Sequence, residues 1–323
     1  MDRREAECED LPPLELRALR ELRLAEPSGD GRPAHLCAGS GVVRRGDFAY
    51  VIGDDELFLA VFRLSAADEP GELRRALAGE LPLDHGSRSE AKPDLEALTV
   101  LPPFGGHPFG ALLGLGSGSA PGRDRGFVWA LDSHGELRGE AREVDLSPLY
   151  GLLSESIEHL NIEGAAVMGD RLWLLQRGGS DEHAAGIVAE LDLGDVMDSL
   201  QRDHRLDRHE LEAVRAYDLG TLDGVPLTFS DATPVAEEVL VFTASAEAED
   251  GSIRGSVVGT LGTDGDVQRL RTIDRRYKVE GVHATIDTGV MDFLFVCDQD
   301  DPEQPSPLLS AAMPVDGRLE REG

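Results

Sequence analysis

Asn161-Ile162-Glu163-Gly164-Ala165-Ala166-Val167-Met168-Gly169-Asp170-Arg171-Leu172-Trp173-Leu174-Leu175 decides the fold. Two apolar runs of strand length flank a Gly-Asp turn, the pattern of an antiparallel hairpin. Slid without gaps along the chain, Glu163-Gly164-Ala165-Ala166, Gly169-Asp170 and Trp173-Leu174-Leu175 fall on Ser40-Gly41-Val42-Val43, Gly46-Asp47 and Tyr50-Val51-Ile52, all at one offset. The opening tetrapeptide Asn161-Ile162-Glu163-Gly164 recurs as Asp94-Leu95-Glu96-Ala97, Phe229-Ser230-Asp231-Ala232 and Lys278-Val279-Glu280-Gly281, with a degenerate copy at Ala38-Gly39-Ser40-Gly41.

Each unit continues through a polar loop, Arg177-Gly178-Gly179-Ser180-Asp181 or Asp298-Gln299-Asp300-Asp301-Pro302, into a third strand, Ile187 to Leu193 or Leu308 to Val315. Antiparallel units of roughly 40 to 70 residues with little helix between them are propeller blades. The expected fold is therefore all-β, a single propeller domain over residues 1–323, with blades starting near 38, 94, 161, 229 and 278; six blades is the runner-up. The last unit lacks a closing strand, and an orphan segment, Leu14 to Leu24, precedes the first. Pairing the two closes the ring and leaves no bare sheet edge. Alternating apolar and charged residues favour a strand there, with an amphipathic helix as the alternative. Helix is expected at Leu193 to Tyr217, interrupted by the charge run around His204 and His209, and a loop over Glu80 to Pro93.

Composition narrows the function classes. A net charge of −31 on 323 residues disfavours nucleic acid and anionic membrane as partners. No apolar run approaches the roughly 20 residues of a membrane span, and Met1 to Glu7 lacks the apolar segment expected of a secretory signal. Cys8, Cys37 and Cys297 form neither a disulfide framework nor a C-x-x-C site, so a cytoplasmic location is expected. Among the 31 basic residues only Lys92 and Lys278 are lysine. The glycine-rich stretches Gly105 to Gly110 and Gly114 to Gly118 lead into no helix, so no organic cofactor is indicated.

The chemistry is expected in the repeated acid. Identical places in the repeat bring Glu96, Glu163, Asp231 and Glu280 around the central axis, with Ser40 in the remaining blade. Like charges at such spacing call for a counter-charge, and a hard cation, calcium or magnesium, is the natural one. Loops after the second strands surround the ring with Asp54, Asp55, Ser117, Ser119, Gln176, Arg177, Asp298 and Asp301. The expected metal set is Glu96, Glu163, Asp231, Glu280, Asn161 and Asp298, with Arg177 to steady an anionic small-molecule substrate and His283 as acid/base. In the competing reading the acids accept backbone N–H bonds and the propeller is a non-catalytic binding module. No Ser nucleophile in a G-x-S-x-G context is present.

The segments Asn161 to Ala166 with Leu172 to Gly178, and Lys278 to Val282 with Phe295 to Asp298, resemble an uncharacterised bacterial propeller family. That group is similar to phytase-like, esterase-like and gluconolactonase-like propellers. The last resemblance implies a glutamate at a strand start, Glu163 or Glu280, holding a divalent metal that polarises a lactone carbonyl. Asp231 would match its aspartate and Asn161 one asparagine. A phytase-like phosphate site would need more lysines than Lys92 and Lys278. The implied activity is metal-dependent hydrolysis of a small ester, lactone or phosphoester.

Overall fold

The computed structural model describes residues 11–315 apart from 30, 179–185, 249, 264, 266 and 300, and apart from the side chains of residues 85 and 269. The readings placed on Met1 to Glu7, on Cys8, on Asp300 and on the loop beyond Gly178 lie outside that set.

Five four-stranded antiparallel sheets form a five-bladed propeller. From the axis outward, the first blade is Gly41–Arg45, Phe48–Ile52, Phe58–Arg63 and Glu72–Arg75, and the second Leu95–Leu101, Ala111–Gly116, Arg125–Ala130 and Arg142–Asp145. The third is Ile162–Met168, Arg171–Gln176, Gly186–Asp192 and Leu211–Tyr217; the fourth is Thr228–Ala236, Val239–Glu247, Ile253–Gly262 and Val267–Thr272. The fifth takes Val279–Asp287, Val290–Cys297 and Pro307–Pro314 from the end of the chain and its outermost strand, Arg17–Glu21, from the beginning. That closing strand runs antiparallel, Arg17 opposite Ser310 and Glu21 opposite Pro307. Each inner strand touches the inner strands of both neighbouring blades, the fifth touching the first.

Blade faces are buried on both sides, which explains the continuous apolar runs. Phe48–Ile52 is buried throughout because it packs toward two neighbours. Among the described residues the core consists of five apolar clusters, one at each blade junction. Leu22, just past the closing strand, is fully buried with Val42, Val51, Phe62, Val296 and Leu308 where the fifth blade meets the first.

Helix departs from expectation in three places. The segment Leu193 to Tyr217 divides: α-helix covers Leu193–Asp203, His204 ends it in a left-handed conformation (φ 50°), and Leu211–Tyr217 is the outer strand of the third blade. The charge run is the turn between them. Within the expected loop 80–93 a helix forms over His85–Ala91, where Asp84 Oδ1 accepts from Ser87 N–H at 2.9 Å and caps it. A further helix, Ser147–Leu153, starts on Pro148 and buries Leu149, Tyr150 and Leu153 under the second and third blades. No helix among the described residues is long and apolar enough to cross a membrane.

Candidate functional site: the acidic mouth of the channel

Four inner strands begin with the same irregularity. In the second blade Leu95 pairs with Gly116 and Ala97 with Leu115, so Glu96 is an extra residue. In the third, Ile162 pairs with Gln176 and Gly164 with Leu175, leaving Glu163; in the fifth, Val279 pairs with Cys297 and Gly281 with Val296, leaving Glu280. In the fourth the extra residue is Ser230. A bulge bends its strand and re-aims the side chain of the residue it inserts. Here it turns three glutamates toward one another: Glu96 feels the charge of Glu163, and Glu163 that of Glu280. The first blade runs without a bulge from Gly41 opposite Ile52.

Asp231 stands one place further on than its sequence alignment implied, in register with Ala97, Gly164 and Gly281. At that position a side chain faces the next blade. A Cβ on Gly164 would meet Asp231 Cα at 2.9 Å, and one on Gly281 would meet Gly41 Cα at 2.9 Å. Asp231, 0% exposed, fills the corresponding space between the fourth and fifth blades. Its Oδ1 accepts from Ala232 N–H at 2.7 Å and its Oδ2 from Val282 N–H at 2.8 Å.

Around the glutamates the charges interleave. The Lys92 ammonium contacts Asp94 Oδ1 at 2.6 Å and also pairs with Asp54. Asp94 Oδ2 further accepts from Arg123 Nη1 at 2.8 Å and from the Ser117 hydroxyl at 2.5 Å. Asn161 Nδ2 donates to Glu163 Oε1 at 2.5 Å, Arg177 Nη1 approaches the same oxygen at 3.3 Å, and the other arm of Arg177 pairs with Glu247. Lys278 Nζ lies 3.3 Å from Glu280 Oε1 and 3.1 Å from Asp298 Oδ2. Asp54, Asp94 and Glu96 form the one group of three among the described residues whose ligand oxygens all lie within 4.8 Å of one another. Among the described residues, Asp54 Oδ1 is buried without a hydrogen-bond partner, and no hydrogen bond or ion pair reaches the Glu96 side chain.

Titration behaviour follows from this crowding. Burial, with the charges of Glu163, Asp54 and Asp94, pushes Glu96 well above the usual carboxylate range. Burial and the Glu280 charge raise Glu163 to about 7 although Arg177 opposes them. Glu280 is raised by burial against Lys278 and Arg177. Asp94 goes the other way: its burial is outweighed by Lys92, Ser117 and Arg123.

The structure therefore gathers Glu96, Glu163, Glu280, Asn161, Arg177 and Asp298 at one mouth, and keeps Asp231 in the wall. His283 lies elsewhere. Three residues beyond Glu280 on the same strand, it is about 10 Å further along the channel by strand rise. Its nearest polar contact is Thr233 Oγ1 at 3.5 Å, and burial with Arg44 and Arg45 lowers it to about 4. Sequence reading passed over Lys92, Arg123 and Glu247, and gave Asp94 no role. A signal for two of them was available. The only two lysines of the chain both sit in this mouth, and the position two before each glutamate is polar in three blades: Asp94, Asn161 and Lys278. A cavity of about 490 Å³, lined by Asp54, Lys92, Asp298, Arg88, Leu83 and Cys37, opens beside the mouth.

Five blades, a closing N-terminal strand and an acidic axial mouth define a β-propeller with a candidate polar site at one end of its channel. The chain belongs to DUF6929, a family of unknown function, whose model matches residues 35–313. No curated protein matches it. Among solved structures, a luciferin-regenerating enzyme is 11% identical, with 87% of this chain and 93% of that one covered and a TM-score of 0.44. A putative exo-β-1,3-galactanase from Bifidobacterium bifidum s17 is 12% identical, with 92% and 93% covered and a TM-score of 0.41. The Dos1 propeller is 10% identical, with 89% and 82% covered and a TM-score of 0.37. Similarity at this level says nothing of activity.

Proposed function

We propose that the acidic mouth binds a divalent cation, calcium or magnesium, and that the protein hydrolyses a small ester, lactone or phosphoester there. The observation that carries the reading is the group Asp54, Asp94 and Glu96, in which one carboxylate oxygen is buried without a partner and a whole carboxylate is unpaired. Lys92 and Arg123 answer part of that charge, and a hard, oxygen-seeking cation fits the remainder. Asp54, Asp94 and Glu96 would hold it; when bound it supplies Lewis-acid polarisation of a carbonyl or phosphoryl oxygen.

The chain's own residues support the rest of the reading. Arg177 is anchored between Glu163 and Glu247 and remains 29% exposed, so its guanidinium is fixed beside the mouth where a substrate oxyanion would sit. Glu163, at about 7, is divided between its protonated and ionised forms near neutral pH and suits general acid/base work at Oε. That role falls to Glu163 rather than His283 because His283 is too far along the strand. The resemblance to gluconolactonase-like propellers supports a divalent metal at this mouth, although it puts the metal on Glu163 or Glu280 and not on Asp54, Asp94 and Glu96. A reducing cytoplasm suits the free thiols of Cys37 and Cys297, and the acidity disfavours nucleic acid and membrane partners.

A second reading, a non-catalytic ligand-binding propeller, is favoured by Asp231, whose two oxygens serve backbone N–H groups, and by the internal pairing of both lysines. Calorimetric titration of calcium and magnesium at fixed ionic strength separates the two. Saturable binding in the parent that falls at least about tenfold in Asp54→Asn and Glu96→Gln, together with turnover of an ester, lactone or phosphoester panel lost in Glu163→Gln, is the expected result. Metal binding unchanged in both carboxamide variants would remove the site.

A further inference from the structure

A second cavity, of about 460 Å³, lies across the face of the fifth blade where it meets the first. Along its floor runs a row of cross-strand neighbours, His283 opposite Leu294, Leu294 opposite Ser310, and Ser310 opposite Arg17 on the closing strand, with the row Thr285, Asp292 and Ala312 beside it. Arg44, from the inner strand of the first blade, closes the inner end. The chain carries 62 acidic residues against 31 basic ones, and most of its arginines are paired with carboxylates. Arg17, Arg44 and Arg45 are not: none has an ion pair with a described residue, and Arg44 makes a weak contact, Nε to Gly46 O at 3.3 Å, and acts on the Asp47 carboxylate from beyond ion-pair distance. Around the His283 ring the charges that make themselves felt are Arg44 and Arg45, with no carboxylate among them. Asp292 stands in the neighbouring row of the floor, opposite Thr285 and Ala312, and Glu15 lines the cavity as well; neither forms an ion pair with Arg17 or Arg44.

From the unpaired Arg44 guanidinium, the His283 ring beside it and the groove leading away from them to Arg17, we propose a second site that takes a small elongated oxyanion. A phosphate or carboxylate head binds at Arg44 and His283, and the remainder lies over Leu294 toward Ser310 and Arg17. A guanidinium fork matches either head bidentately, and a neutral imidazole adds one N–H donor. The row from His283 to Arg17 crosses three strand spacings, about 14 Å, which sets the length of the occupant. Because Arg17 belongs to the closing strand and Arg44 to the first blade, an occupant touching both also clamps the junction at which the ring is closed. The site is independent of the metal reading, since it shares no residue with the mouth.

The test is calorimetry and histidine ring NMR on the full chain at fixed ionic strength, with inorganic phosphate and hexanoate as probes. The expected result is saturable one-to-one binding of at least one probe, a shift of the His283 ring signals on addition, and a Kd raised at least tenfold by Arg44→Gln. Tighter phosphate identifies a phosphoryl head, tighter hexanoate a carboxylate with an apolar tail. Arg138→Gln, a change at an exposed arginine elsewhere, leaves the Kd unchanged. Absence of saturable binding of either probe overturns the proposal, as does equal weakening by Arg44→Gln and Arg138→Gln, which would mean bulk charge alone. The altered arginines are exposed, and an unchanged circular dichroism spectrum certifies the fold of each variant.

Discussion

Glu163 shows how one residue can be assigned by position and still be misjudged in chemistry from sequence. Its place in the repeat was legible, because Glu163-Gly164 opens an unmistakable hairpin; its neighbours Arg177, Asn161 and Glu280 come from loops and blades that only the fold brings together. The same applies to Asp231: the bulge residue of the fourth blade is Ser230 and not an acid, so an alignment that matches acid to acid falls one place off. The raised titration of Glu163 makes a stability prediction. Its folded value of about 7 lies above the roughly 4.3 of an unfolded glutamate, so the folded state holds the proton more tightly. The stabilisation from that proton is fully present below the unfolded value and is lost as pH rises through 7. Glu163→Gln keeps the shape and removes the titration. Relative to the parent, in chelator, the variant gains stability on the order of 3 kcal/mol between pH 4.5 and 8.5. Urea denaturation of both proteins at several pH values checks this; a stability difference that is flat with pH, or grows toward acid, would refute it.

At the scale of elements, the five inner strands and the closing strand were readable because each has a local signature: the tetrapeptide, the Gly-Asp turn, and the alternation at Leu16 to Leu24. The helices were not. His85–Ala91 and Ser147–Leu153 are seven residues each, too short to establish a 3.6-residue period, and are held by a cap and by packing on the core. Leu211–Tyr217 reads as helix beside Leu193–Asp203 because its outward face is charged, and only pairing with Gly186–Asp192 makes it a strand. The closing strand is short, and its register shifts between Ala18 and Arg20, so its hold on the ring rests on the apolar residues that follow it. Leu22 N–H donates to Ser306 O at 2.8 Å and the side chain is 0% exposed. Leu22→Ala is expected to cost about 3 kcal/mol, within the range for a leucine truncated in a packed core. Leu19→Ala, at a side chain 41% exposed on the same segment, should stay within about 0.5 kcal/mol. Urea midpoints of the two variants decide it. Equal effects would mean that the segment contributes by backbone pairing and not by its anchor.

For the whole molecule the governing quantity is charge. A net charge of −31 over 14569 Å² of surface leaves about one uncompensated negative charge per 470 Å², a mean spacing of about 20 Å. The Debye length is about 30 Å at 0.01 M salt and about 10 Å at 0.1 M, so neighbouring net charges repel through the first medium and are largely hidden from one another in the second. Self-repulsion of this kind opposes the compact state, which confines the charges closer together than the unfolded chain does. The melting temperature should therefore climb by roughly 5 °C or more between 0.01 and 0.2 M sodium chloride, a rise corresponding to a few kcal/mol for a chain of this size, and then flatten. Choline chloride should act equally, because screening depends on ionic strength and not on coordination. A divalent cation at a bound site behaves differently: at fixed high ionic strength it adds RT ln(1 + [L]/Kd), about 2.7 kcal/mol at a hundredfold excess over Kd, and chelator reverses it. Measuring calcium and magnesium on top of 0.5 M sodium chloride therefore separates the axial carboxylates from the acidic surface that surrounds them. A salt response that continues unabated beyond 0.5 M, or one that sodium gives and choline does not, would place the repulsion in specific monovalent-ion sites and not in the net charge.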